Sequence, residues 1–189
     1  MTWVVTSNKK VKKQVTKLPR RIKAALYVLV AEIKDLGPVR GNWSNYSSLG
    51  KGRHHCHLKK VWEELIKRSV LWRFNMLGHT KKPPIELRFI GPPENREKAI
   101  NALQALGFAD VSGLIPAGEL FEDFKEDSLP GLALLGARTK EGVTQKQLSE
   151  LTGISQAHIS EMENHKRTIG KKRARILGKA LKISYKVFL

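Results

Sequence analysis

Two sets of side chains have the types and spacing to do chemistry. The first is Arg53-His54-His55-Cys56-His57-Leu58, an alternating stretch that reads as a strand with Arg53, His55 and His57 on one face. Imidazoles that titrate near neutral pH, set beside cations, could move a proton or stabilise negative charge. His55 and His57 could also be offered to zinc. Cys56 points to the opposite face, however, and no second Cys or His pair lies nearby, so the expectation is a basic surface strand and no metal site. The second set lies further along the chain: Gln145, Ser155, Gln156, Ala157, His158, Ser160, Lys166 and Arg167. A glutamine can pair twofold with the edge of an adenine, an alanine can touch a thymine methyl, and lysine and arginine can neutralise phosphates.

The second set needs helices to hold it. Leu132, Leu135 and Ala137 recur as a helix that ends at Lys140-Glu141-Gly142. Thr144 can cap a short helix in which Leu148 and Leu151 face inward. Gly153 stands where a tight turn needs a left-handed backbone, and Ile154 plugs the angle. Ser155 caps the next helix, 156–163, whose Ile159 and Met162 face inward and leave Gln156, Ala157, His158 and Ser160 outward. Ile169, then Ala174, Leu177, Ala180 and Leu181 on helix 171–181, complete the core, and Ile183, Tyr185, Val187, Phe188 and Leu189 close it. Two short helices joined by a glycine turn make a helix-turn-helix.

The run from Thr144 through Gln145, Leu148, Gly153, Ile154, Gln156 and Ile159 to Asn164 resembles the Xre/Cro-type helix-turn-helix family, the phage-repressor class. The resemblance implies a sequence-specific repressor that binds a double-stranded DNA operator as a homodimer. Gln156, Ala157, His158 and Ser160 would then lie in the major groove, with Ser155 opening the reading helix. Gln145 would donate to a phosphate, and Lys166 and Arg167 would clamp the backbone. His165 stands where the family most often has glycine, which implies strain in that loop.

Charge supports a polyanionic partner. The 189 residues carry 35 Lys+Arg against 17 Asp+Glu, a net charge of +18. Residues 1–81 hold +14, residues 82–127 hold −4, and residues 128–189 hold +8, so two basic segments flank an acidic one. Boundaries fall at Lys81-Lys82-Pro83-Pro84 and at Asp127-Ser128-Leu129-Pro130-Gly131. A hydrophobic content of 41% argues against disorder, and the single Cys56 excludes a disulfide framework. No long apolar run and no signal-type amino terminus are present, so the expectation is a cytoplasmic protein with no membrane partner and no cofactor.

In the first segment, Trp3-Val4-Val5-Thr6 reads as a strand and Ser7 as the cap of a helix bearing Val11, Val15 and Leu18. Pro19 opens a second helix with Ile22, Ala25, Leu26, Leu29, Val30, Ile33 and Leu36 on its apolar stripe, stopped by Gly37-Pro38. The β-α-α-β order, with Pro38 to Tyr46 and Gly52 to Lys60, resembles the amino-terminal part of RelE/HigB/ParE-type toxins of bacterial toxin–antitoxin systems. That resemblance implies a ribosome-dependent RNase face built on Arg53, His55 and His57. From Lys60 the chain departs from the family's further hairpins, because residues 61–77 lack a hairpin turn and read as helix at least as well as strand. The segment therefore resembles a truncated toxin.

In the middle segment, residues 85–90 alternate as a strand. Glu94 and Glu97 stand at the start of a helix with Ala99, Ile100, Leu103, Leu106 and Phe108 inward and Gly107 as its cap. Asp110-Val111-Ser112 returns as a strand, giving a β-α-β linker or dimerisation unit, and 115–124 reads as a short helix through Leu120, Phe121 and Phe124. The fold class is thus α+β, ending in an all-α domain over 128–189. The function expected is an antitoxin-type DNA-binding repressor fused to a toxin remnant and not an enzyme, with a separate toxin as a further protein partner. The rival is an mRNA-cleaving toxin held in cis by its own antitoxin.

Overall fold

The computed structural model describes residues 5–37, 41–43, 47–50, 53–55, 75–76, 87–108 and 110–189. Strand β1 (Val5–Asn8) is the centre of an antiparallel sheet, with β4 (Asn75–Met76) on one edge and β5 (Leu114–Pro116) on the other. The register pairs Val5 with Met76 and Ser7 with Ile115. Ser7 is therefore a buried strand residue and not a helix cap, and α1 (Lys9–Thr16) starts after it. Helix α1 buries Val11 and Val15, as their spacing predicts. Helix α2 (Arg20–Leu36) follows Pro19 and ends at Gly37, whose φ of 83° lets its N–H reach the Ile33 carbonyl at 2.9 Å. Its apolar stripe is buried except for Leu36, which is 52% exposed at the carboxyl end.

Strands β2 (Ser47–Gly50) and β3 (Arg53–His55) form an antiparallel hairpin with a register shift between Ser48 and Gly50. Trp3-Val4, the loop positions 38–40 and 44–46, Cys56 to Lys60 with His57, and 61–74 lie outside the described residues. The common face expected of Arg53, His55 and His57 lies outside them too. At Asn75-Met76 the chain is strand and not helix.

Among the described residues of 82–127 the expected β-α-β unit does not form. Leu87 to Ile90 are exposed and belong to no strand, and Ile85-Glu86 lie outside the described residues. Helix α3 (Arg96–Ala105) buries no residue: Ile100 and Leu103 are half-buried, while Ala99 and Leu106 are exposed. Gly107 does end it, at φ 85°, with Phe108 N–H bonding the Leu103 carbonyl at 3.0 Å. Asp110-Val111-Ser112 is a turn, because the Asp110 carboxylate accepts the Ser112 N–H at 2.9 Å and so competes with strand pairing. The returning strand is instead β5, and its partner is β1. Ile115 lies in β5, and a 3-10 turn at Ala117–Phe121 replaces the expected helix, burying Ala117, Leu120 and Phe121.

Packing crosses the segment boundaries read from composition. Helix α4 (Leu129–Glu141) lies along α2, so close that a Cβ on Gly136 would collide with the Ala24 carbonyl. One core joins Val5, Val15, Leu26, Phe121, Leu134, Leu148, Met162 and Phe188. The acidic middle segment pairs with the basic first one: Lys12 meets Glu122 at 2.5 Å and Glu119 at 3.6 Å, and Lys23 meets Asp123 at 2.6 Å. Among the described residues no helix is long and apolar enough to cross a membrane, and no group of three or more His, Cys, Asp or Glu could hold a metal ion.

Candidate nucleic-acid interface

Helix α5 (Gln145–Thr152) opens with a capping box. Thr144 Oγ1 accepts the Gln147 N–H at 3.1 Å, and Gln147 Oε1 accepts the Thr144 N–H at 2.8 Å. Gly153 adopts φ 69°, turning the chain so that Ile154 is buried at the corner. Ser155 Oγ then accepts the His158 N–H at 3.3 Å and caps α6 (Gln156–Glu163). Leu148, Ile159 and Met162 are buried as expected. Leu151 is not: it is 64% exposed, at the outer edge of α5. Helix α7 (Lys171–Leu181) closes the group through Ala174, Leu177 and Leu181.

A chain of polar contacts fixes the first residue of α6. Arg138 on α4 donates from Nε to Glu163 Oε1 at 2.7 Å and from Nη2 to Oε2 at 2.9 Å. Its Nη1 donates to the Val143 carbonyl at 3.0 Å. Gln145 Nε2 donates to Glu163 Oε2 at 2.8 Å, and Gln145 Oε1 accepts from Gln156 Nε2 at 3.0 Å. Gln145, expected as a phosphate donor, is thus turned inward and carries the order of a buried ion pair to Gln156. The amide of Gln156 keeps its Oε1 and second N–H unused among the described residues, which is the pair an adenine edge requires.

The other expected contacts cluster around the same helix. Ala157 is exposed, and His158 and Ser160 are half-buried on α6. Lys166 is exposed just past its end, its backbone N–H bound to the Glu161 carbonyl at 2.8 Å. Arg167, expected to clamp phosphate, donates from Nε to Glu161 Oε2 at 2.5 Å. That bond holds the Glu161 carboxyl below its ordinary value. Lys146 and, at the start of α7, Lys171 and Lys172 are exposed cations that the sequence reading did not include.

His165 is the strained position anticipated from the sequence, with φ 60° on a residue with a side chain. Although the residue is exposed overall, its ring lies against α4 where only Gly131 fits. Burial of the ring, and then the nearby Arg20 guanidinium, hold the imidazole below its ordinary value. Arg20, at the start of α2, reaches the Glu163 carbonyl from Nη2 at 3.2 Å and His165 Nε2 at 3.5 Å.

Sequence reasoning missed Arg138, Glu163 and Arg20. The first two were detectable as charges standing at apolar spacing on α4 and α6. Arg20 was not, because its contact spans most of the chain.

Residues 136–188 match the family model described as Helix-turn-helix (HTH_3). Comparisons with curated proteins and with solved structures found no match. The segment 136–188 is a helix-turn-helix domain, and Thr144 to Asn164 are its two-helix core.

Proposed function

We propose that the protein is a sequence-specific DNA-binding transcriptional repressor that reads its operator with α6. The observation that carries this is the Arg138–Glu163–Gln145–Gln156 chain, which presents a pre-oriented carboxamide at the amino end of an exposed helix. Pre-orientation lowers the entropy lost when a side chain pairs with a base edge. Ser155, Ala157, His158 and Ser160 flank that carboxamide, and Lys166 supplies a phosphate contact beyond it. The protein acts as a homodimer on half-sites about 34 Å apart or a multiple of that spacing. Selection of bound duplexes from a random pool by the full chain tests it. A single enriched palindrome is the expected result, and no enrichment refutes it.

A finer reading places this repressor in the cytoplasm as the antitoxin of a toxin–antitoxin system, with residues 1–60 as a toxin remnant and a separate toxin as its protein partner. What supports it is that β1, α1 and α2 precede the basic strand β3 (Arg53–His55), although β2 (Ser47–Gly50) adds a strand where the sequence reads as a loop and turn. In this reading the chain is not an enzyme, and purified protein does not arrest translation in a cell-free extract. Arrest that disappears in His55→Ala would establish the rival reading, an mRNA-cleaving toxin.

A further inference from the structure

Helix α1 has two unlike faces. Lys12 is neutralised by Glu119 and Glu122, and Lys23 on α2 by Asp123, so the acidic middle segment covers one side of this helix pair. Lys9, Lys10, Lys13, Lys17 and Arg21 are exposed, and no carboxylate among the described residues lies within 4.0 Å of them. Lys9 and Lys13 stand one helical turn apart on a common face, and Lys17 follows in the turn that leads to α2.

This bare cationic run is anchored to the reading domain. Arg20, three residues past Lys17, bonds the last carbonyl of α6 and touches His165. Ala24, one turn further along α2, lies against Gly136 of α4. The α1–α2 corner is therefore fixed at Arg20 beside the loop that carries Lys166.

We propose that Lys13, Lys17 and Arg21 form a second phosphate-binding track that engages the DNA backbone flanking the base-read operator. It rests on the reading of α6 as the DNA-reading helix and adds to it a partner surface outside the helix-turn-helix domain. The track contributes affinity without base preference, because phosphates carry no sequence information. It also gives the strongly basic first segment a role in a chain whose acidic segment neutralises only part of it.

The experiment uses the full chain and its Lys13→Ala/Lys17→Ala/Arg21→Ala variant, whose altered side chains are exposed and outside the core. Binding is measured against salt on the operator duplex obtained by selection, once with long flanks and once trimmed to the base-read core. On the long duplex the variant is expected to lower the salt slope by about 2 to 3 units per protomer of the dimer, since each lost phosphate contact removes roughly 0.9. On the trimmed duplex parent and variant are expected to coincide. Equal slopes on the long duplex overturn the inference while leaving α6 as the reading helix. A parent chain that enriches no duplex overturns both. A variant that loses binding to single-stranded RNA but not to duplex DNA overturns the assignment of the track to DNA.

Discussion

Arg138 on α4 and Glu163 at the end of α6 form a buried, two-bonded ion pair, with N–O distances of 2.7 and 2.9 Å and side chains only 10% and 5% exposed. The pair joins the first helix of the domain to α6, and through Gln145 it also sets the position of Gln156. Stability and the orientation of Gln156 therefore share one carboxylate.

Glu163→Ala should destabilise the fold by roughly 3–5 kcal/mol, because it leaves the Arg138 charge buried without its partner. Removing both charges in Arg138→Met/Glu163→Leu should recover most of that loss while still releasing Gln145. Urea unfolding midpoints and operator affinity separate the two effects: the double variant should be stable but bind its operator more weakly than the parent. Full affinity in a stable double variant would show that Gln156 needs no support from the pair.

The seam between α2 and α4 can be tested at one atom. A Cβ at Gly136 meets the Ala24 backbone, whereas one at Gly118 meets nothing within 4 Å. Gly136→Ala should cost about 1–3 kcal/mol as overpacking, and Gly118→Ala should be neutral or slightly stabilising. Equal unfolding midpoints for the two variants would mean that α2 does not lie on α4.

The His165 imidazole is held below its ordinary value in the fold by ring burial and by Arg20. The unfolded chain therefore takes up this proton first as pH falls through about 6.5, and stability falls with it. Above that pH both states are neutral at this residue and it adds no pH dependence. The parent should lose more stability than His165→Asn between about pH 7.5 and about pH 5, since asparagine tolerates positive φ and does not titrate. Parallel pH profiles for the two proteins would remove His165 from the acid response.

Local grammar made the helix-turn-helix legible. Thr144, Gly153 and Ser155 each have a backbone task that few residue types perform, and the apolar positions between them recur at helical spacing. Leu151 was misread because the spacing that puts it near Leu148 also puts it at the rim of α5. The middle segment failed for another reason: the alternation that runs through 87–90 describes side chains, but a strand also needs a neighbour, and the edge of β1 is taken by β5. The pairing of Ser7 with Ile115 and the bond from Arg20 to Glu163 join residues far apart in the chain, and no local pattern announces such contacts. At the site, Gln156 is exposed as its spacing predicts, while Gln145 and Arg167 are tied to carboxylates of α6.

The most direct test compares Gln156→Ala with Lys166→Ala on the selected operator and on single-base variants of it. Gln156→Ala should cost roughly 1–3 kcal/mol on the preferred sequence and relax the preference at one base position. Lys166→Ala should weaken all sequences about equally and reduce the salt slope by about one unit per protomer. Both side chains are exposed, so both variants should keep the fold. If Lys166→Ala changes which base is preferred while Gln156→Ala leaves the preference intact, α6 does not read the operator with its amino end.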